Sequence, residues 1–325
     1  LILSILGLRE AIINSISVSM KNGIAVGIGL FIAFIGLQHG GLIIGKSGTL
    51  LGLNNHFMSA DIAVFFCGLV VTSVLHARRV HGSILWGILV AAIVAFLLGK
   101  IKFSGIFGFP QIQQQVAFRM DIKSALSLTC LPFIIVFLFM DMFDTVGTLI
   151  GVAEQAGFMK ENRLPHATRV LVVDAAGTVG GACLGTSTIT SYIETATGVA
   201  FGGRTGLTSV TVGLLFLLAL FFGPLIGMIG NYSPITAPAL IIVGVMMIQN
   251  VRKIDWDDYS ECIPAFLTMI GIPLFYSIAD GLALGFISYP VIKFLSGRRK
   301  DVRWLMYVMG IMLIIYFIFV RTKLG

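Results

Sequence analysis

Apolar runs close to the roughly 20 residues that cross a bilayer recur along this chain, at about 23–44, 60–77, 84–101, 128–152, 169–184, 206–227, 234–250, 262–276, 279–295 and 304–320. Residues 1–8 read as the tail of an earlier run. Helices apolar over their whole circumference must be buried or face lipid, so the pattern predicts an all-α polytopic membrane protein. Composition agrees: 57% of residues are hydrophobic and 11% charged, and mean hydropathy is +0.98, against about 25% charged residues in soluble domains. The 38 glycines fit the same class, because small residues let membrane helices approach closely.

The net charge of +7 does not point to nucleic acid, because the Lys and Arg residues sit in short clusters between apolar runs. These are HARRVHG (76–82), MKENRLPHATR (159–169), GGRTG (202–206), QNVRK (249–253) and SGRRKDVR (296–303). The positive-inside rule places such loops in the cytoplasm. The 45–59 and 223–233 connections carry only Lys46 between them and are expected outside. The 100–123 connection carries Lys100, Lys102, Arg119 and Lys123, fits less well, and is also placed outside. Run 304–320 is either a further crossing or an interfacial helix. The location expected is the plasma (inner) membrane, multi-pass, with the lipid bilayer as surroundings.

The four cysteines (Cys67, Cys130, Cys183, Cys262) are isolated and read as packing residues. The chain opens on LILSILGLRE without an initiator Met or a basic leader, which reads as a truncation. GxxxxGK[ST], HExxH and Cys/His metal spacings are all missing. No metal or other cofactor is therefore expected, and energy for any transport would come from an ion gradient.

One stretch breaks the apolar pattern. GTSTITSYIETATGVAFGGRTGLT (185–208) is polar and Gly-rich between apolar spans. Non-helical backbone at membrane depth survives only where protein buries it or it lines a cavity. The TSTIT core (186–190) predicts a short extended segment, followed by a half-helix starting near Ser191. Glu194 in that half-helix reads as a substrate-site carboxylate, or else as a structural cap at the positive end of the helix dipole.

A second polar patch lies in LPFIIVFLFMDMFDTVGTLIGVAEQAG (131–157), where Asp141 and Asp144 are spaced i,i+3 on one helix face, with Thr145 and Thr148 one turn onward. Each acid either bonds a neighbouring helix or belongs to a proton-coupling, ligand-binding face, since adjacent carboxylates in a dry site titrate as a pair. Asp174, in RVLVVDAAGTVGG, either faces the same core or bonds between helices. Asp280 reads as structural, His39 as interfacial and Arg204 as a cytoplasmic anchor.

FMDMFDTVGTLIGVAEQAG, DAAGTVGGACLGTSTITSYIETATGVAFGGRTGLT, TAPALIIVGVMM, IPAFLTMIGIPLFYSIADGLALGFISY and GIAVGIGLFIAFIGLQHGGLI together resemble the AzgA-like purine permeases of the xanthine/uracil permease, or nucleobase:cation symporter, superfamily. The likeness covers essentially the whole chain. It implies a UraA-like fold of two inverted seven-segment repeats, with a core and a gate domain and a short strand in the broken third and tenth segments. Residues 1–8 would then end the fourth segment, 9–124 hold gate helices five to seven, 125–228 hold core segments eight to eleven with the substrate site, and 229–325 hold gate helices twelve to fourteen plus a C-terminal hydrophobic segment. The first three segments and most of the fourth have no counterpart here, so the expectation is a fragment that does not transport alone.

By the same resemblance Glu194 would hydrogen-bond the base, Asp144 would contact ligand, and Asp141 would serve proton coupling, a role to which Asp144 and Glu194 also contribute. Thr148, Thr188 and Ser191 would complete the substrate pocket, with Asp174 and Thr190 at its margin. The implied activity is import of purine nucleobases such as hypoxanthine, guanine and adenine by proton symport, Na+ remaining open as coupling ion. The partners implied are the base and a second copy in a homodimer. The competing readings are a uracil, xanthine or other small-solute carrier on the same fold, and a channel-type membrane subunit. An enzyme is not expected, since the apolar spans lack a nucleophile–base constellation.

Overall fold

The structure is a computed structural model that describes residues 2–46, 48–110, 117–125, 127, 131–159, 161, 163–192 and 194–318. Among them the chain forms α1 (Ile2–Ile5), α2 (Leu8–Ser15), α3 (Val18–His39), a hairpin of β1 (Ile43–Lys46) and β2 (Thr49–Leu53), α4 (Ala60–Ala77), α5 (Ser83–Leu97) and α6 (Ile122–Ala125). There follow α7 (Leu131–Ala156), α8 (Ala167–Leu184), α9 (Thr195–Ala200), α10 (Gly206–Ala219), α11 (Gly223–Gly230), α12 (Ala237–Ile248), α13 (Tyr259–Leu274), α14 (Ile278–Leu295) and α15 (Trp304–Tyr316). Among the described residues five stretches are long and apolar enough to cross a membrane: Val18–His39, Ala60–Ala77, Ala167–Leu184, Gly206–Gly230 and Ile278–Leu295. The architecture is that of a helical, multi-pass membrane protein.

Helix starts follow local chemistry. Ser59 caps α4 by accepting the Ile62 N–H, Asp258 caps α13 through the Ser260 N–H, and Ser277 caps α14 through the Asp280 N–H. Each satisfies a donor that a helix N-terminus leaves orphaned.

Three elements depart from the sequence expectation. The run at 23–44 does not continue as helix, because α3 stops at His39 and residues 43–53 form an antiparallel hairpin, pairing Ile43 with Leu53 and Ile44 with Gly52. Gly48 adopts φ +93° at its turn, a conformation glycine supplies without strain. The fold is thus not wholly α. The opening residues are two short helices rather than one tail, broken where Gly7 takes φ +71°. The half-helix after TSTIT begins at Thr195 rather than near Ser191 and is six residues long. TSTIT itself forms no strand pairing among the described residues.

Contacts group the chain into two units. The first comprises Leu1–Leu30, Gln113–Ala196 and Met247–Gly325; the second comprises Phe31–Ile112 and Thr197–Met246. This grouping is separate from the core-and-gate partition that the resemblance implies.

Within the first unit α13 and α14 pack backbone against backbone. A Cβ on Gly281 would run into the Ile272 backbone, and one on Gly285 into the Thr268 hydroxyl. Lipid offers no hydrophobic drive for helices to associate, so small residues that permit such close approach carry the packing. Ile13, Met20, Ile24, Ile272, Leu282 and Phe286 are buried in this unit.

In the second unit α4 meets α5 in the same manner, Gly68 against Ala91 and Gly87 against Thr72. Tyr232 donates to Asp61 at 2.5 Å, and Lys100 lies 3.0 Å from the same carboxylate.

α15 turns back along α14, with Gly310 beside Pro290 and Tyr307 against Phe294. Met306, Met309 and Leu313 form its buried face.

Candidate functional site

α7, α8, α2 and the segment between α8 and α9 bring a charged network together inside the first unit. Thr188 Oγ1 donates to Asp141 Oδ1 at 2.5 Å. Thr178, one turn beyond Asp174 on α8, lies 3.4 Å from Thr188 and donates to the Ile189 carbonyl at 2.8 Å. The irregular segment is therefore tied to both helices. The Thr178 hydroxyl takes up a carbonyl that extended backbone does not pair by itself, while the Thr188 hydroxyl holds the segment to α7 through Asp141.

At the centre of the network is Arg9, a residue the sequence reading passed over. Its Nη1 donates to Asp174 Oδ2 at 3.4 Å and to Ser4 Oγ at 3.3 Å, and its Nη2 stands 3.9 Å from Asp141 Oδ2. The Arg9 and Asp174 side chains are each 6% exposed, and that of Asp141 is 22% exposed. Two carboxylates against one guanidinium leave the ionised cluster with one negative charge. Such a charge in a low-dielectric site is costly unless a cation or proton joins it.

Arg9 also retains unused capacity. Among the described residues its Nε and Nη2 find no hydrogen-bond acceptor, although both are buried. Its neighbour Glu10 accepts a bond from Thr168 on α8, which fixes the register of α2 against that helix. The signal for Arg9 was present in the sequence, since a cation directly following an apolar stretch is a functional hypothesis by default. The apolar stretch was read as ending at residue 8, one position short of it.

The expected site residues fall into separate groups. Asp141, Asp174 and Thr188 are joined as above. Thr148 is buried on the same helix as Asp141. Asp144 lies on α7, but its side chain is outside the described residues. Thr190 and Ser191 are half-buried in the segment, and Glu194 is exposed in the turn just before α9.

The far end of α7 is anchored by Lys253, 3.1 Å from Glu154, and by Asn250, which donates to Gln155 at 3.3 Å. Asp280 sits in the first turn of α14, where a carboxylate complements the helix dipole. Arg204 is exposed in the second unit.

Residues 1–283 match the model of a family described as the permease family. The chain belongs to that family. Among its relatives, a putative permease of Methanocaldococcus jannaschii is 47% identical over 321 residues, covering 98% of this chain and 73% of the relative. A guanine/hypoxanthine permease of Bacillus subtilis is 44% identical over 98% of this chain and 72% of its own length. An adenine permease of Escherichia coli is 39% identical over 92% of this chain and 67% of its own length. These relatives are named as permeases, which move solutes rather than transform them, so the chain is a transporter and not an enzyme.

Proposed function

We propose that the protein is a secondary active transporter that imports purine nucleobases (hypoxanthine, guanine or adenine) by proton symport across the plasma membrane. The observation that carries this reading is the joining of Asp141 to the irregular segment through Thr188, beside the Arg9–Asp174 pair, in a chain whose relatives are named as guanine/hypoxanthine and adenine permeases. The cluster's unbalanced negative charge gives a proton a place to bind. Because Thr188 links that charge to the segment leading to Glu194, protonation at Asp141 would alter how the segment is held.

In this account Glu194 and Asp144 accept hydrogen bonds from the edge of the base, with Thr148, Thr188 and Ser191 completing the pocket. Asp141 carries the coupling proton, with Asp174 and Thr190 at the margin. A planar heterocycle suits such a site, because each buried donor and acceptor must find a partner. The UraA-like arrangement of two inverted seven-segment repeats, a core spanning 125–228 moving against a gate, and assembly as a homodimer belong to the same proposal.

The test is uptake of radiolabelled hypoxanthine by purine-uptake-deficient cells expressing the protein or its Glu194→Ala variant. Saturable uptake blocked by guanine and adenine but not by uracil, and lost in the variant, is expected. Uptake blocked equally by uracil, or unchanged in Glu194→Ala, overturns the assignment.

A further inference from the structure

The α14–α15 hairpin carries a furrow that the transport site does not use. On one side of the pair an apolar hollow of about 240 Å3 is lined by Pro290, Val291, Leu295, Tyr307, Ile311 and Ile314. It extends along α14 from Ile287 to Leu295, a rise of about 12 Å at 1.5 Å per residue. That is most of the roughly 15 Å half-thickness of a bilayer's hydrocarbon core. Gly310 keeps α15 close to α14 at this level, its Cβ position 3.2 Å from the Phe286 carbonyl, so the furrow is a shallow channel rather than a gap between helices.

The mouth of the furrow is cationic. Tyr307 closes it, donating its hydroxyl to the Arg299 carbonyl at 3.3 Å, and its ring meets Phe294 edge-on. Arg298 is committed elsewhere, 2.6 Å from Asp258 and 2.9 Å from Asp301. Among the described residues no carboxylate forms an ion pair with Arg299, Lys300 or Arg303. Trp304 is exposed beside them, in the position of an amphipathic ring at headgroup level. Arg303 lines a separate hollow with Asp255, Asp258, Glu261 and Asp301, which leaves Arg299 and Lys300, in the loop joining α14 to α15, as cations without an ion-pair partner among the described residues at that end of an apolar channel of leaflet depth.

An apolar furrow alone would accept any acyl chain, and a cationic rim alone any anion. Their juxtaposition selects a molecule with both properties. We infer that the furrow and the Arg299–Lys300 rim bind one anionic phospholipid, with an acyl chain against Val291 and Ile311 and the phosphate at the rim. Its source is the leaflet bordering the 296–303 loop, the side the positive-inside rule assigns to the cytoplasm. The inference rests on membrane embedding alone and stands whichever solute is transported.

The test is native mass spectrometry of the purified protein with phosphatidylglycerol and phosphatidylcholine of identical acyl chains at equal concentration. One phosphatidylglycerol should be retained about tenfold in preference, with glycerol phosphate failing to displace it. Arg299→Gln/Lys300→Gln should bring the preference near parity without changing the lipid-free melting temperature. Val291→Trp, which fills the furrow and leaves the rim intact, should lower retention of both lipids, and decides the matter should the double variant prove unstable. Equal retention of the two lipids by the unaltered protein, an unchanged preference in the double variant, unchanged retention in Val291→Trp, displacement by glycerol phosphate, or a lipid-free dimer closed over the furrow would each overturn the inference.

Discussion

Thr188 and Asp141 are 47 residues apart in sequence and 2.5 Å apart in space, the hydroxyl of one donating to the carboxylate of the other. The bond ties the non-helical segment after α8 to the acid of α7 that stands beside Arg9. A hydrogen bond to a charged group contributes about 1.5–3 kcal/mol, so Thr188→Val should lower hypoxanthine uptake by roughly tenfold or more. Thr188→Ser, which keeps the donor, should restore most of it. Equal uptake by Thr188→Val and the unaltered protein would show that the bond has no part in transport.

Arg9 compensates Asp174 in a site where both side chains are nearly inaccessible. Removing one partner of a buried pair leaves an uncompensated charge and costs about 3–5 kcal/mol. Arg9→Met should therefore depress the melting temperature in detergent markedly. Arg9→Met/Asp174→Leu, which removes both charges, should recover much of the loss. A double variant no more stable than the single one would place the role of Arg9 in packing instead.

Much of this was legible in the sequence. The apolar run at 60–77 matches α4 because Ser59 supplies a cap and Gly68 within it packs against Ala91 without breaking the helix, and the acids at 141 and 174 stand out in the sequence as carboxylates in apolar surroundings. The hairpin at 43–53 was not legible, because LIIG continues the apolar composition of α3 and the turn signal of KSG came too late to mark where the helix stops. Arg9 carried a local signal as a cation following an apolar stretch, but its partners Asp141 and Asp174 lie more than 130 residues away, and no local pattern encodes that pairing.

Gly281 allows α14 to lie against α13 so closely that an added Cβ would enter the space of the Ile272 backbone. Backbone cannot yield as a flexible side chain does. Gly281→Ala should destabilise the pair by about 2 kcal/mol, seen as a lower melting temperature in detergent. An unchanged melting temperature would mean that the helices separate at no cost.

Asp258 lies outside the membrane-crossing helices at the start of α13. Bonds from the Ser260 hydroxyl, the Arg298 guanidinium and the Ser260 amide hold its carboxyl well below the usual carboxylate range, with Lys293 adding to the effect. A depressed folded-state value means that the stabilisation is fully present above the unfolded value of about 3.9 and is lost as pH falls through the folded value. The Asp258 side chain is 22% exposed and its partner Arg298 47% exposed, so solvent screening keeps the effect modest. The melting-temperature advantage over Asp258→Asn should hold from pH 7 to pH 5 and shrink below about pH 4. An advantage that does not change with pH would contradict this assignment.

The central claim is that base movement is coupled to a proton held by the Asp141 network. Its most direct test is the proton flux that accompanies hypoxanthine entry, followed with a pH-sensitive dye trapped in proteoliposomes carrying the protein or Asp141→Asn, with no imposed ion gradient. The account predicts that adding hypoxanthine acidifies the lumen in the native protein and fails to do so in the variant. Hypoxanthine entry without acidification, or acidification that persists in Asp141→Asn, would contradict it.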